Sequence, residues 1–329
     1  MSPRPIVALT LGDPAGTGPE LILKALAQPE VRSLARMLVV GDAAVLDRAQ
    51  AFTGTKLQVN AVASPEAAKF SAGAVDVLDL RNVDLARLET GKAQPMAGHA
   101  AYEYVKTAAE LALAGRVGGI VTSALNKAAL NAAGHHFDGH TGLLAEICKA
   151  PGATMMLVAE KLRISHVSTH VSLRQAIDRV RPERIAKVLQ LTNDAMLRLG
   201  IAKPKLAVAG LNPHAGEGGL FGDEEEQFIQ PALEQARALG LEVSGPWPGD
   251  TIFFRAAQGE FDATVAMYHD QGHVAAKMLG IWRGVNVTLG LPIIRTSVEH
   301  GTDFANAGTG RGDPRSLIEA LKLAAALTR

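Results

Sequence analysis

A recurring local pattern constrains this chain more than any other feature. Short apolar runs end in a turn bearing glycine or histidine, and a helix-like stretch usually follows. Ile6 to Leu11 runs into GDPAGTGPE and then Leu21 to Ala27. Gly119 to Thr122 runs into Ser123 to Lys127 and then a helix-like stretch to Ala133. Ile164 to Val167 leads to His170, and Leu206 to Leu211 leads to His214. Ala263 to Met267 leads to YHDQGH, residues 268–273, before Val274 to Leu279. Runs of this length read as strands, and strands alternating with helices make an α/β protein. Further strands are expected at 37–41, 57–62, 75–78, 155–159, 243–247, 285–289 and 294–297. Helices are expected at 99–114, 223–239 and 317–327.

With 329 residues the chain is long enough for two lobes. A first α/β lobe is expected from 1–140 with 296–329, and a second from 141–295, with the active site in the cleft between them. Aromatic residues are only 4%, so the core must be built from Ala, Val, Leu and Ile. Formal net charge is zero, which argues against nucleic acid or an acidic membrane as partner. No apolar run is long enough to span a bilayer and no signal peptide is evident, so a cytoplasmic enzyme is expected. Cys148 is the one cysteine, which excludes an intramolecular disulfide or a cysteine-based zinc site. It reads as a small buried filler.

In open α/β sheets, ligands bind at the carboxyl ends of strands. His170, His214 and His269 each follow a strand-like run. Three such imidazoles suit a divalent metal with open positions for substrate. Neutral imidazoles favour Zn, with Mg, Mn or Co as alternatives. The turn from Gly12 to Glu20 can present backbone N–H groups to an anion. It is not a dinucleotide fingerprint, because its glycines are spaced G-x-x-x-G-x-G. His135 and His136 are adjacent and read as solvated, whereas His140-Thr141 opens a helix.

Taken together, GDPAGTGPE at 12–20, Asn126-Lys127, Gly139-His140-Thr141, Thr169-His170, LNPHAGE at 211–217, Gly249 to Thr251, YHDQG at 268–272 and GVNVTLGLPIIRTS at 284–297 resemble the 4-hydroxythreonine-4-phosphate dehydrogenase family. The resemblance spans the whole chain. It implies a homodimer of two-lobed α/β/α subunits similar to isocitrate and isopropylmalate dehydrogenases, with the active site completed across the interface. It also implies NAD and a divalent metal held by His170, His214 and His269. His140, Thr141, Lys277, Asn286 and Arg295 would contact a small phosphorylated substrate. The implied reaction oxidises the C3 hydroxyl of a 4-phosphorylated acid and then releases the carboxylate.

Within that chemistry, Lys277 is the expected proton-transfer group, because a desolvated lysine near a metal has a lowered pKa. Asp250 and Asp270 are expected to orient the metal-binding imidazoles. Arg295 suits phosphate or carboxylate. Gly308, Gly310 and Gly312 form a second glycine-rich turn, expected to meet the dinucleotide phosphates through backbone N–H groups. Two departures bear on the substrate. Gly142 stands where the family often has Glu, and His273-Val274-Ala275 where the pyridoxine-pathway enzymes usually continue Leu-Pro. A histidine after that glycine resembles a branch acting on 4-phosphorylated threonate or erythronate. His273 is expected on the same helix face as His269, near the substrate. A zinc hydrolase or retro-aldol lyase could use the same histidines, and a two-lobed solute-binding protein is the non-enzyme rival.

Overall fold

The structure, a computed structural model, describes residues 4–280 and 284–328. It divides into two compact units, Met1–Pro151 with Leu291–Arg329, and Gly152–Gly290. Both boundaries differ from the expected 1–140/296–329 division. Thr141 and Arg295 therefore belong to the first unit. Among the described residues, no helix is long and apolar enough to cross a membrane.

In chain order the first unit contains β1 (Ile6–Thr10), α1 (Gly18–Leu26), α2 (Pro29–Arg32), β2 (Arg36–Gly41), α3 (Ala43–Thr53), β3 (Gln58–Val62), β4 (Ala74–Asp79), α4 (Pro95–Leu113), β5 (Gly119–Thr122), α5 (Lys127–Ala132) and α6 (His140–Ile147). The second contains β6 (Thr154–Ala159), β7 (Leu162–His166), α7 (Leu173–Asp178), α8 (Pro182–Arg198), β8 (Lys205–Ala209), α9 (Gln230–Ala238), β9 (Glu242–Trp247), α10 (Ile252–Ala257), β10 (Ala263–Ala266), α11 (His269–Met278) and β11 (Val285–Leu289). The chain then returns to the first unit with β12 (Arg295–Val298) and α12 (Arg315–Leu327).

The first unit's sheet runs β3-β4-β2-β1-β5-β12, with every pair parallel. Its central strands are apolar on both faces: Val7, Leu9, Leu38, Val40, Ile120 and Val121 are fully buried. That is what a parallel sheet covered by helices requires. Burying each such side chain contributes about 1.5–3 kcal/mol. The edge strand β3 is instead polar and partly exposed, as an unpaired edge should be. Strand order turns around between β1 and β5, so their carboxyl ends form a topological switch point.

The second unit's sheet runs β11-β6-β7-β10-β8-β9. β6 is antiparallel to both neighbours, and β7, β10, β8 and β9 are parallel. Its core joins Met155, Leu157, Ile164, Ile252, Phe253 and Ala266 among others. β7, β10 and β8 are adjacent, so the segments carrying His170, His269 and His214 leave one edge of one sheet.

The helix expected at 223–239 is split. Glu225–Ile229 forms a π-helical turn and α9 follows from Gln230. Pro231 lacks an N–H and cannot continue the regular i to i−4 ladder, which accounts for the break. α4 begins earlier than expected, with Pro95 in its first turn, where the missing N–H is no loss. Cys148 caps α6 and is half-buried rather than core.

Candidate active site

The first unit gathers a buried cation and several buried polar atoms. Arg295 opens β12, is 2% exposed, and donates from Nε and Nη2 to Thr122 Oγ1 at 3.1 and 2.8 Å. Burial pushes its guanidinium down to about 9. His140 is the first residue of α6. Burial, then the charge of Arg295, holds its imidazole well below the usual range, so the ring is neutral. His140 Nε2 and Ser123 Oγ are buried without a hydrogen-bond partner among the described residues. A buried cation beside orphaned polar atoms is the arrangement an anionic, hydroxyl-bearing ligand satisfies. Asp13, at the switch point, is pushed up to about 6 by burial. Its Oδ1 accepts from Ala15 N–H at 2.9 Å, and its Oδ2 has no partner among the described residues.

Both glycine-rich turns commit their amides internally. In the first, Asp13 N–H donates to Ala124 O, Gly16 N–H to Asp13 O and Thr17 N–H to Thr302 O. In the second, Gly308 and Gly310 N–H donate to the two carboxylate oxygens of Glu20, at 2.6 and 2.7 Å. One turn along α1, Lys24 donates to the carbonyls of Gly310 and Gly312. The expected mode of dinucleotide binding at Gly308 and Gly310 is thereby corrected: a buried carboxylate already occupies the place of the anion.

In the second unit, His170 follows β7 and His269 opens α11, with ring centroids 5.6 Å apart. They line a cavity of about 640 Å³ with Thr169, Ser172, Gln175, Tyr268 and Asp270. His269 Nδ1 donates to Asp270 Oδ1 at 2.7 Å, leaving Nε2 as the ligating nitrogen. The expected orienting role of Asp270 has this contact behind it. Asp250 is exposed before α10 and makes no hydrogen bond to a histidine among the described residues.

His214 stands exposed in the turn after β8, with φ 52° and ψ 26°. That turn is wrapped around Glu225, which is 4% exposed. Glu225 Oε1 accepts from Leu211 and Asn212 N–H at 2.7 and 2.8 Å, and its Oε2 from Asn212 Nδ2 at 2.9 Å. Gln271 links the turn to α11: its Nε2 donates to Gly210 O and its Oε1 accepts from Met267 N–H, both at 2.7 Å. Even so, among the described residues no three His, Cys, Asp or Glu side chains come together as a metal site. The structure brings His170 and His269 together, while His214 lies tilted against Phe221 with ring centroids 6.0 Å apart.

Lys277 is exposed on α11, so the desolvation expected of a proton-transfer lysine is not supplied within one chain. Asn286 is half-buried on β11, opposite Leu157 of β6. His273 does lie on the His269 face, but it is 5% exposed, and its Nδ1 donates to His269 O at 3.0 Å. It stacks beneath His269 with centroids 3.6 Å apart. It packs behind the His269 imidazole and does not line the cavity, because a helical i, i+4 pair overlaps on one face. Burial holds His273 at about 4 and His166 at about 3, with neighbouring imidazoles adding to both shifts. Sequence reasoning missed Glu225, Gln271, Asp13 and His166. Gln271 and Asp13 lay inside the quoted YHDQGH and GDPAGTGPE motifs without a role, and His166 inside the run 164–167.

Two α/β units with polar side chains collected at strand ends define a class, an α/β enzyme acting on a small anionic molecule. Residues 33–324 match the family described as Pyridoxal phosphate biosynthetic protein PdxA, and the chain belongs to that family. It is 48% identical to a D-threonate 4-phosphate dehydrogenase from Cupriavidus necator, over 98% of this chain and 97% of the relative. It is 44% identical to a 4-hydroxythreonine-4-phosphate dehydrogenase from Desulforapulum autotrophicum, over 98% and 95%. A crystal structure of a 4-hydroxythreonine-4-phosphate dehydrogenase from Klebsiella pneumoniae superposes with TM-score 0.90 at 44% identity, covering 99% of this chain and all of that one. The relatives are dehydrogenases, and the chain is an oxidoreductase.

Proposed function

We propose that this chain is an NAD-dependent, metal-assisted dehydrogenase that oxidises C3 of D-threonate 4-phosphate and releases CO2. The observation that carries the reading is the buried Arg295, which donates to Thr122 beside the neutral imidazole of His140 and suits an anionic oxygen of the substrate. The 48% identical D-threonate 4-phosphate dehydrogenase supports the hydroxy acid over the amino acid.

The donor set suits a divalent ion in part. His170 and His269 are near enough to share one, and His269 presents Nε2. A third imidazole, His214 of a second copy, would complete the set in a homodimer. Phe254, Val274 and Met278, exposed by 70, 61 and 81% on the touching helices α10 and α11, support such a dimer. The ion would act as a Lewis acid on the C3 oxygen.

The residues of the chain supply the rest. Arg295 and His140 anchor the anionic end of the substrate, and Thr141 and Asn286 orient its hydroxyls. NAD, when bound, would supply the acceptor for the C3 hydrogen as hydride, and Lys277 would take the hydroxyl proton once a second copy shields it from water. The C1–C2 bond then breaks, CO2 departs, and the electron pair left on C2 takes a proton, giving a three-carbon hydroxyketone phosphate.

The test is NADH absorbance and CO2 release with D-threonate 4-phosphate and with 4-phosphohydroxythreonine, in the presence of a divalent metal. Equal amounts of NADH and CO2, with a higher kcat/KM for the hydroxy acid, are expected. A preference for the amino substrate would overturn the branch. Substrate loss without NADH would overturn the dehydrogenase reading in favour of a lyase or hydrolase.

A further inference from the structure

Four imidazoles in the second unit form a continuous line from the sheet interior to the cavity. His166 ends β7 and is fully buried. Its ring lies 4.8 Å from His273, His273 stacks on His269 at 3.6 Å and 11°, and His269 faces His170 at 5.6 Å. His166 is poorly satisfied where it stands. Its Nδ1 reaches Met155 O only at 3.4 Å, and its Nε2 has no hydrogen-bond partner among the described residues. Leu or Phe would fill such a place without an orphaned polar atom, which costs about 1–3 kcal/mol.

The backbone is shaped to receive this ring. A Cβ on Gly272 would lie 2.4 Å from His166 Nε2 and 2.8 Å from Ile164 Cγ2, so no other residue fits there without displacing the ring. Nε2 of His166 thus packs against Gly272 in the first turn of α11, the helix that His269 opens.

We propose that His166, seated on Gly272, is a positioning residue that acts through His273 to hold the His269 ring in its ligating orientation. The proposal rests on the reading of His170 and His269 as metal ligands. The ring of His273 has contact on both sides, so the angle of His269 is inherited from the sheet rather than left to a side chain at the cavity edge.

The test uses cobalt(II) titrated into the metal-free full-length protein, followed by its visible bands. His166→Leu and Gly272→Ala are each expected to weaken cobalt binding by about tenfold or more and to shift the bands, as loss of a support behind a ligand does. Thr192→Val is the control for stability alone. It removes a buried hydrogen bond to Ser165 Oγ next to His166, and should lower Tm while leaving affinity and bands unchanged. His166→Gln takes the place of either variant that fails to fold. Native cobalt affinity and band positions in the folded His166 and Gly272 variants would overturn the proposal. Absence of cobalt bands in the unmodified protein would overturn the ligand reading, and this inference with it. Bands that appear in the unmodified protein and vanish in His170→Ala uphold the ligand reading whatever the His166 result.

Discussion

Arg295 sits 2% exposed inside an all-parallel sheet, held to Thr122 from a neighbouring strand, with neutral His140 beside it. His170 and His214 stand exposed on turns of a mixed sheet, and His269 has the carboxylate of Asp270 against its ring. The first unit thus presents a buried guanidinium and a neutral imidazole already held in place. The second presents imidazoles on well-supported turns whose set is incomplete in one chain. Preorganisation through burial and preorganisation through assembly are different solutions, and they fail differently.

The sharpest way to break that comparison is Arg295→Met. The loss in kcat/KM should be about 2–5 kcal/mol, the range for losing one partner of a buried charged pair. Thermal stability should change less than kcat/KM, because loss of the hydrogen bonds to Thr122 is set against relief of a buried charge's desolvation. Kinetics and Tm measured on one preparation decide it, and a stability collapse with normal kinetics on the folded fraction would make Arg295 structural.

In the second unit, replacing His170, His214 or His269 singly by Ala should weaken metal binding by about 100-fold or more, since a ligand counts for more than its support. Metal content after dialysis reads this out. Full occupancy in all three variants would remove the metal site.

pH separates the units by sign. Asp13 is raised to about 6 from 3.8, so the folded chain keeps a proton the unfolded chain has already released. Stability from this group is full below pH 3.8 and is lost as pH rises to about 6, by about 3 kcal/mol. His166 and His273 are lowered to about 3 and about 4 from 6.5. Their contribution is full above pH 6.5 and is lost as pH falls. Denaturant unfolding of Asp13→Asn beside the parent should show the variant gaining between pH 4 and 7. A constant difference across that range would contradict the buried-carboxyl account.

Glu225→Gln should cost about 1.5–3 kcal/mol, because a charged acceptor of three hydrogen bonds becomes neutral. Hydrogen exchange at Leu211 and Asn212 should speed up with it. Unchanged protection there would mean the turn holds itself. The smallest effect is expected from Lys24→Met, about 1 kcal/mol, with loosening confined to 308–312, since Glu20 still holds two amides of that turn.

The strand-end pattern was legible in the sequence because apolar alternation acts over a few residues. It placed β1, β5, β7, β8 and β10, and with them the segments leading to His170, His214 and His269. The family was legible because its motifs keep their order along the whole chain. The unit to which Arg295 belongs was not legible, because it depends on β12 pairing with β5. Nor was the use made of the second glycine turn: Glu20 and Gly308 lie 288 residues apart, and no local propensity reports that one fills the other. Glu225 lies in a stretch that reads as an acidic-started helix, and His166 in a short strand-like run. Both are buried because segments distant in sequence close over them, and burial is the property that turns a carboxylate or an imidazole into a structural support. Local chemistry therefore singled out the candidate imidazoles, and packing decided which side chains support them.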